Sequence, residues 1–467
     1  MQIPIMSGIY TDGCSDFRSA YPRNMIPVPK GNGISNGYLR PAFGIDEFCR
    51  SSGVDRGGIN WKGECYRVIA NKFVKVTDKG RIIEIGQVSL EGIQAKFDYS
   101  FTRLAIVSGG RVYYYDGISF VQVSDPDLGK VHDVLFIDGY FLFCDDQYII
   151  VTELSNPLSI NPLKYGSAEV DPDVINCITK VRNELQVVGR YSIEAFTNIG
   201  GDLFPFQRIP GAYVARGAVG RRAAVFFNEM IAFVGGGRNE PIAVWMALNG
   251  QSQKISTREI DQILHEYNES ELFNCVVEKM VDNSHQFLFI QLKDKTLVYD
   301  LNASLVVSEP IWFTLDSGLH TPLKYRAMGF VWCYNRWIFG DPTTNKLGTF
   351  NQSHSNHYGR EVGWDFHTAI LYNGGKGILI HEIELVALPG RVDFKKDPVI
   401  WTSYSLDGVT WSQETPKKIG QSGERNKRIT WFKQGHMRNW RIQKFRGNSD
   451  SFLSFARLEI NVESLYV

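Results

Sequence analysis

The stretch Cys275 to Asp300 constrains the fold more than any other. Val276 to Val281 is rich in β-formers, Asp282-Asn283-Ser284 supplies turn chemistry, and Gln286 to Leu292 is apolar and aromatic. Lys293-Asp294-Lys295 then turns into Thr296 to Tyr299, and Ile311 to Leu315 follows after one loop. β-branched and aromatic runs separated by such short polar breaks predict antiparallel strands joined by tight turns. Four in succession make a meander, the unit repeated around a β-propeller.

Six further runs repeat the pattern. Strands are expected within 64–85, 104–123, 133–152, 174–196 and 223–246, and a last set within 328–350 completes or extends the ring. Turns fall at Gly109-Gly110, Asp116-Gly117, Asp138-Gly139 and Asp145-Asp146, of which Asp116-Gly117 is a strong hairpin signal. The spacing of about 40 to 50 residues suits blades, and the expectation is an all-β propeller of about six blades over residues 56–350. No blade carries a shared fingerprint, so the repeat is one of pattern.

Residues 1–55 hold Pro22, Pro27, Pro29 and Pro41 and glycines around Gly31 and Gly37, which reads as an irregular clasp around another domain or a neighbouring subunit. A polar linker is expected at 351–366. Beyond it, over 367–467, longer alternating strands predict a β-sandwich-like domain of about a hundred residues. One helix is marked by Ser256-Thr257-Arg258-Glu259, a capping box with Ile255 and Ile260 as its staple, and Ile260, Ile263, Leu264 and Tyr267 share its buried face.

The charge balance excludes a surface that grips nucleic acid everywhere: 50 Lys and Arg face 50 Asp and Glu. The seven cysteines, at 14, 49, 65, 144, 177, 275 and 333, are odd in number, scattered and without a CxxC pair, which predicts reduced thiols. The N-terminus has neither a basic nor an apolar leader region, and no run reaches the ~20 apolar residues of a membrane helix, so neither export by a classical signal nor membrane insertion is expected.

Several motifs could carry chemistry, and each has a plainer reading. His354 and His357 could share a metal but lie in a polar loop without a third ligand. Gly235-Gly236-Gly237-Arg238 could cradle phosphate but joins two strands. Asp125-Pro126-Asp127 and Asp171-Pro172-Asp173 read as turns. Ser405-Leu406-Asp407-Gly408-Val409-Thr410-Trp411 is one residue short of the Asp-box of sialidase-type propellers, itself a structural turn. No catalytic site, metal site or cofactor is expected.

One charge distribution is uneven. Residues 417–446 hold ten Lys or Arg and one acid, Glu424, interleaved with Trp431, Phe432, Trp440 and Phe445. Lys427, Arg428, Lys433, Arg438, Arg441, Lys444 and Arg446 form a candidate patch facing DNA or an acidic partner. Alternation along a sheet with aromatics inward predicts the same residues.

A further set of motifs runs in order along the chain: Tyr21-Pro22-x-Asn24-Met25, Gly37-Tyr38-Leu39-Arg40, Gly53-Val54-x-Arg56-Gly57, Tyr66-Arg67-Val68 and Ala168-Glu169-x-Asp171-Pro172-Asp173. It continues in Ser192-Ile193-Glu194-x-Phe196, Val214-x-Arg216-Gly217-x-x-Gly220, the segment from Ser284-His285 to Tyr299-Asp300, Lys427-Arg428-x-x-Trp431 and Arg438. In these motifs, their order and their spacing the chain resembles the packaged-DNA stabilization proteins, the tail nozzle or hub, of lambdoid short-tailed phages (podoviruses). Arg56, Tyr66, Asp171, Glu194, Gly217, His285, Tyr299 and Asp300 are the matching structural positions. The C-terminal domain departs most. The resemblance implies a non-enzymatic virion protein assembled in the host cytoplasm into a hexameric ring beneath the portal and its head-to-tail adaptor. Such a ring extends the channel for genomic double-stranded DNA without reading its sequence, seals it, carries a plug or needle, and lies near tail fibres or tailspikes. A carbohydrate-binding or glycan-processing propeller is the alternative, and it requires carboxylates and arginines to converge in a pocket near the axis.

Overall fold

The structure, a computed structural model, describes residues 1–11, 16–30, 35–154, 156–168, 170–388, 392 and 396–465. Gly31, Cys14 and Glu169 lie outside them. Seven antiparallel sheets follow one another along the chain. Blade 1 spans Asp55–Trp61 to Ile82–Gln87, blade 2 Lys96–Tyr99 to Phe120–Gln122, blade 3 Asp133–Ile137 to Ile160–Ser167 and blade 4 Ile175–Val181 to Phe206–Arg208. Blade 5 runs from Gly217–Ala218 to Gln251–Lys254, and blade 6 from Val276–Asp282 to Trp312–Leu315. Blade 7 takes three strands from Met328–Cys333, Arg336–Gly340 and Lys346–Asn351 and its fourth, outermost strand from Gly44–Arg50. The innermost strand of each blade, which is its first except in blade 5, where it is Ala224–Phe227, neighbours that of the next, and the first strand of blade 7 neighbours that of blade 1, so the ring closes.

Turn chemistry makes these hairpins. Asp138 and Gly139 both take positive φ, at 50° and 88°, as a two-residue hairpin loop requires. Asp116-Gly117 works otherwise: Gly117 has positive φ, and the Asp116 carboxylate accepts the Ile118 and Ser119 amides at 2.8 and 2.7 Å. The core lies between blades. Tyr66, Phe73, Leu104 and Tyr115 fill the joint of blades 1 and 2, and Val107, Val112, Phe141 and Phe143 that of blades 2 and 3. Leu142, Ile149, Leu185 and Phe196 join blades 3 and 4. Val188, Phe233, Val244 and Leu288 join blades 4 to 6, Phe289 and Phe339 blades 6 and 7, and Val74, Val76, Ile338 and Leu347 blades 7 and 1. Every blade thus buries both faces.

The ring has seven blades where about six are legible in the sequence, because the set at 328–350 becomes a full blade only with a strand from the other end of the chain. The N-terminal segment is strand-forming rather than irregular, and what it clasps is this chain itself. Gln2–Ile3 and Gly37–Pro41 pair with Phe455–Ser464, and Met25–Pro29 pairs with Gly37–Pro41. These strands extend one sheet of the C-terminal sandwich, whose middle is Phe455–Ser464 against Ile378–Ala387. The other sheet has the order Gly363–His367, Trp440–Asn448, Val399–Ser405, Thr415–Lys418. Leu39, Trp364, Ile383, Phe445 and Phe455 fill the space between the two.

The loop between blades 5 and 6 carries α1 (Arg258–His265) and α2 (Glu269–Phe273). The capping box at Ser256 does not form. Thr257 is the N-cap, because the Ser256 hydroxyl accepts the Val244 amide at 3.1 Å and donates to Asp261 at 2.6 Å. The reciprocal box occurs in α2, between Asn268 and Glu271. A third helix, α3 (Leu301–Val307), occupies the stretch read as a loop before the last strand of blade 6, capped by the Asp300 carboxylate.

Candidate partner-facing surfaces and the propeller axis

The basic residues of 417–446 do not form one surface. Trp440–Asn448 is an inner strand of its sheet, so alternate side chains turn inward. Arg441 is fully buried, donating to the Gln443 side-chain carbonyl and the Gln434 backbone carbonyl and stacking on Tyr404 at 3.8 Å, which removes it from any DNA- or partner-facing set. Arg446 pairs with Glu414 and covers Trp401. Lys444 lies over Trp411, 5.7 Å from the ring centre. Arg428 pairs with Glu382, at 3.0 Å, and with Glu384, and these acids hold its proton more tightly. Lys427 meets Glu424 at 3.6 Å. Lys433 and Arg438 are exposed and, among the described residues, without an ion pair. Apart from Glu424, the acids that neutralise the run, Glu382, Glu384 and Glu414, lie outside it.

The positions carrying the resemblance are fasteners rather than a common site. Arg56 donates to the carbonyls of Ala70, Ser89 and Glu91 at 2.9, 2.7 and 2.6 Å, tying a turn of blade 1 to the connection into blade 2. Tyr66 stacks on Phe73 and meets Trp61 and Tyr115. Asp171 pairs with Arg238 at 2.5 Å, and Asp173 accepts the Arg190 and Tyr191 amides. Glu194 accepts the Val170 amide at 3.0 Å, and burial raises its pKa. Gly217 pairs with Gly236, and a side chain there would collide with the Gly189 carbonyl. His285 meets the fully buried Asp300 at 2.5 Å, and Tyr299 packs on Trp312 in the same blade.

The motifs separate similarly. His354 contacts Asp46 at 2.9 Å, whereas His357 is buried against Ser317 and Tyr325, so the two neither share a ligand position nor form a solvated loop. Burial drives the His357 pKa down to about 3. Gly235 lies where a side chain would strike Gly217, and Arg238 serves Asp171. The Asp125 carboxylate accepts the Asp127 and Ile160 amides at 3.0 and 2.9 Å. Asp407 accepts the amides of Val409 and Thr410 and the hydroxyls of Ser405 and Thr410, which closes the Ser405–Trp411 turn on itself. Cys65, Cys144, Cys177, Cys275 and Cys333 are buried thiols, and Cys49 is half-buried.

At one end of the propeller axis lies a cavity of about 750 Å³. Lys96, His132, Asp146, Arg221 and Arg222 line it, so acids and arginines do meet there. They engage one another. Arg221 pairs with Asp146 at 2.8 Å, and Lys96 reaches Asp133 at 3.2 Å. His132 approaches Cys144 at 3.4 Å, and burial, then Arg221, lowers its pKa. Arg222 reaches from blade 5 to the Ala95 carbonyl before blade 2, at 3.3 Å, and burial lowers its pKa to about 10. Beneath it Glu278 accepts the Gly329 amide at 2.8 and 3.1 Å, and burial raises its pKa to about 7. Neither Arg222 nor Glu278 carries a local sequence signal.

Glu278 makes stability depend on pH. A carboxyl with a higher pKa in the folded than in the unfolded state contributes fully below its unfolded value, near 4.5, and loses that contribution as pH rises through about 7. Glu278→Gln keeps an acceptor for Gly329 without the charge. The wild type should lose up to about 3 kcal/mol relative to this variant between pH 4.5 and 8, read from urea midpoints. Parallel pH profiles would place no charge cost at Glu278.

A propeller whose axial groups pair internally, joined to a sandwich by its own N-terminus, is what known sequences can be compared with. The family profile described as "Bacteriophage P22 Gp10, beta-propeller" matches residues 1–355, and "Bacteriophage P22 Gp10, beta-sandwich" matches 363–463. The chain belongs to the P22 Gp10 family of phage tail hub proteins. The family's first profile takes in the N-terminal strands together with the propeller. The curated "Tail hub protein gp10" of Salmonella phage P22 is 25% identical over 486 residues, covering 99% of each chain. Solved structures similar to this chain include the Neurospora crassa Pan2 WD40 domain, 8% identical, covering 66% of this chain and 95% of that one, with a TM-score of 0.43. The computationally designed Ika8 protein is 10% identical, covering 66% of this chain and all of that one, with a TM-score of 0.38. Among the described residues no helix is long and apolar enough to cross a membrane.

Proposed function

We propose that this tail hub protein forms a ring, a hexamer, beneath the portal and the head-to-tail adaptor of a podovirus. It extends the DNA channel, retains the packaged genome, carries the distal plug or needle, and lies near the tail fibre or tailspike. Assembly takes place in the host cytoplasm. The observation that carries this reading is the match to the P22 tail hub protein along 99% of both chains. Charge supports it: a wall that DNA must slide past should not accumulate neutralised phosphates, and the chain balances 50 cations against 50 anions. Of the candidate patch, Lys433 and Arg438, exposed and without an ion pair among the described residues, face a partner or the DNA. The domain limits proposed are 56–350 for the propeller, to which Gly44–Arg50 adds a strand, and 367–467 for the sandwich, to which Gly363–His367 adds one, with 1–55 as the clasp and 351–366 as the linker.

The glycan-processing alternative places its chemistry in the axial cavity, where Asp146 is engaged by Arg221 and Lys96 is drawn to Asp133 outside the lining. Phage particles assembled without this protein should package DNA and then lose it, which a nuclease-protection assay on purified heads reads directly. Heads that keep their genome without it would remove the retention role.

A further inference from the structure

We propose that Arg23 and Asn24 are the joint that fixes the angle between propeller and sandwich. The segment Pro22–Asn24 runs between two sheet edges. On one side lies Trp312–Leu315, the outermost strand of blade 6: Thr314 donates to the Pro22 carbonyl at 2.9 Å, and Asn24 donates to the Thr314 carbonyl at 2.8 Å. On the other lies Gly363–His367, the edge of a sandwich sheet: Arg23 donates to the Asp365 carbonyl at 2.9 Å and receives the Asp365 amide at 3.3 Å. Three residues therefore satisfy the open edges of two domains at once.

The side chains repeat the bridge. One face of the Arg23 guanidinium meets Asp316, just past blade 6, at 3.1 Å, and its Nε meets Asp365 of the sandwich at 3.4 Å. The Arg23 and Asp316 side chains are 14% and 6% exposed, so solvent screens this contact little. Without the cation, two carboxylates of different domains would face one another. Asn24, held at φ 53°, donates to the Gly363 carbonyl at 2.7 Å and accepts the Asp316 amide at 3.0 Å. Gly363 donates to the Gly318 carbonyl, and a side chain there would collide with the Leu319 carbonyl. The strap is also pinned on the propeller side: Ser19 donates to Glu259 of α1 at 3.0 Å, and the Tyr21 hydroxyl meets Thr257. This gives Glu259, which makes no capping box, a different task.

The joint is a property of the single chain and stands whether or not the chain assembles into a hub. A subunit that closes a ring through contacts on both domains needs that angle fixed. The test compares the full chain with Arg23→Ala, Asn24→Gly and the double variant, by small-angle scattering and by the rate of tryptic cleavage after Arg360, an exposed residue between the domains. Asn24→Gly keeps the positive φ without strain and removes only the two amide bonds. The expected result for the double variant is a larger radius of gyration and cleavage at Arg360 faster by about tenfold, with the near-ultraviolet circular dichroism of the aromatic blade joints retained. Wild-type scattering and cleavage in a folded double variant would overturn the proposal. Should the double variant not fold, wild-type values in Asn24→Gly would overturn it equally.

Discussion

Arg67→Ala should destabilise the propeller by about 3–5 kcal/mol, the range for stranding one member of a buried ion pair. Arg67 lies in blade 1 with its side chain wholly inaccessible, and Asp55 opposite is 4% exposed. The pair is bidentate, Nε to Oδ1 at 2.7 Å and Nη2 to Oδ2 at 2.6 Å. The guanidinium also donates to the Gly329 and Ile338 carbonyls of blade 7 at 2.9 and 3.3 Å. One side chain thus closes the seam where the last blade meets the first. Removing it leaves an uncompensated carboxylate and two carbonyls without their donor. Replacing both partners, Asp55→Asn with Arg67→Met, should recover part of the loss. Urea unfolding of the three proteins checks this, and a loss below about 1 kcal/mol in Arg67→Ala would show that the seam is held elsewhere.

The second large effect is expected from removing the N-terminal strap. A chain starting at Gly53 leaves blade 7 with three strands and withdraws Gly44–Arg50, whose Ile45 is fully buried. It also takes Met25, Ile26 and Leu39 out of two cores, in the sandwich and in the joint of blades 6 and 7. Both domains would then expose apolar faces and open strand edges, the condition for aggregation. Expression should move to the insoluble fraction, and any soluble remainder should lack a cooperative thermal transition. A truncated protein that unfolds in one sharp step near the full-length midpoint would contradict the closure described above.

Much of the propeller is legible because its signals are local. Apolar alternation with Asp-Gly, Asn-Ser and Gly-Gly breaks specifies hairpins of neighbouring strands, and blade 6 begins at Val276 as its residues suggest. Pairing between Gly44–Arg50 and Lys346–Asn351 joins segments some three hundred residues apart, and no local pattern reports it. Leu301–Val307 ends in β-branched residues and reads against a helix until the Asp300 cap is seen. The basic run misleads for the same reason as the strap. Glu382 and Glu384 are 46 and 44 residues from Arg428, and Glu414 is 32 from Arg446, and the strand alternation that turns Arg441 inward is fixed by neighbours on both sides. Arg67 of the seam pair is within the Tyr66-Arg67-Val68 motif and Asp55 is the open position of Gly53-Val54-x-Arg56-Gly57, but nothing local marks the two as an ion pair.

The most direct measurement is an averaged electron-microscopy image of the tail from particles in which this chain bears a C-terminal tag. Several copies are expected, arranged with rotational symmetry, sixfold for a hexamer, around a lumen wide enough for duplex DNA below the adaptor. A single copy off the axis, or particles whose complete tails lack the tag, would contradict this expectation.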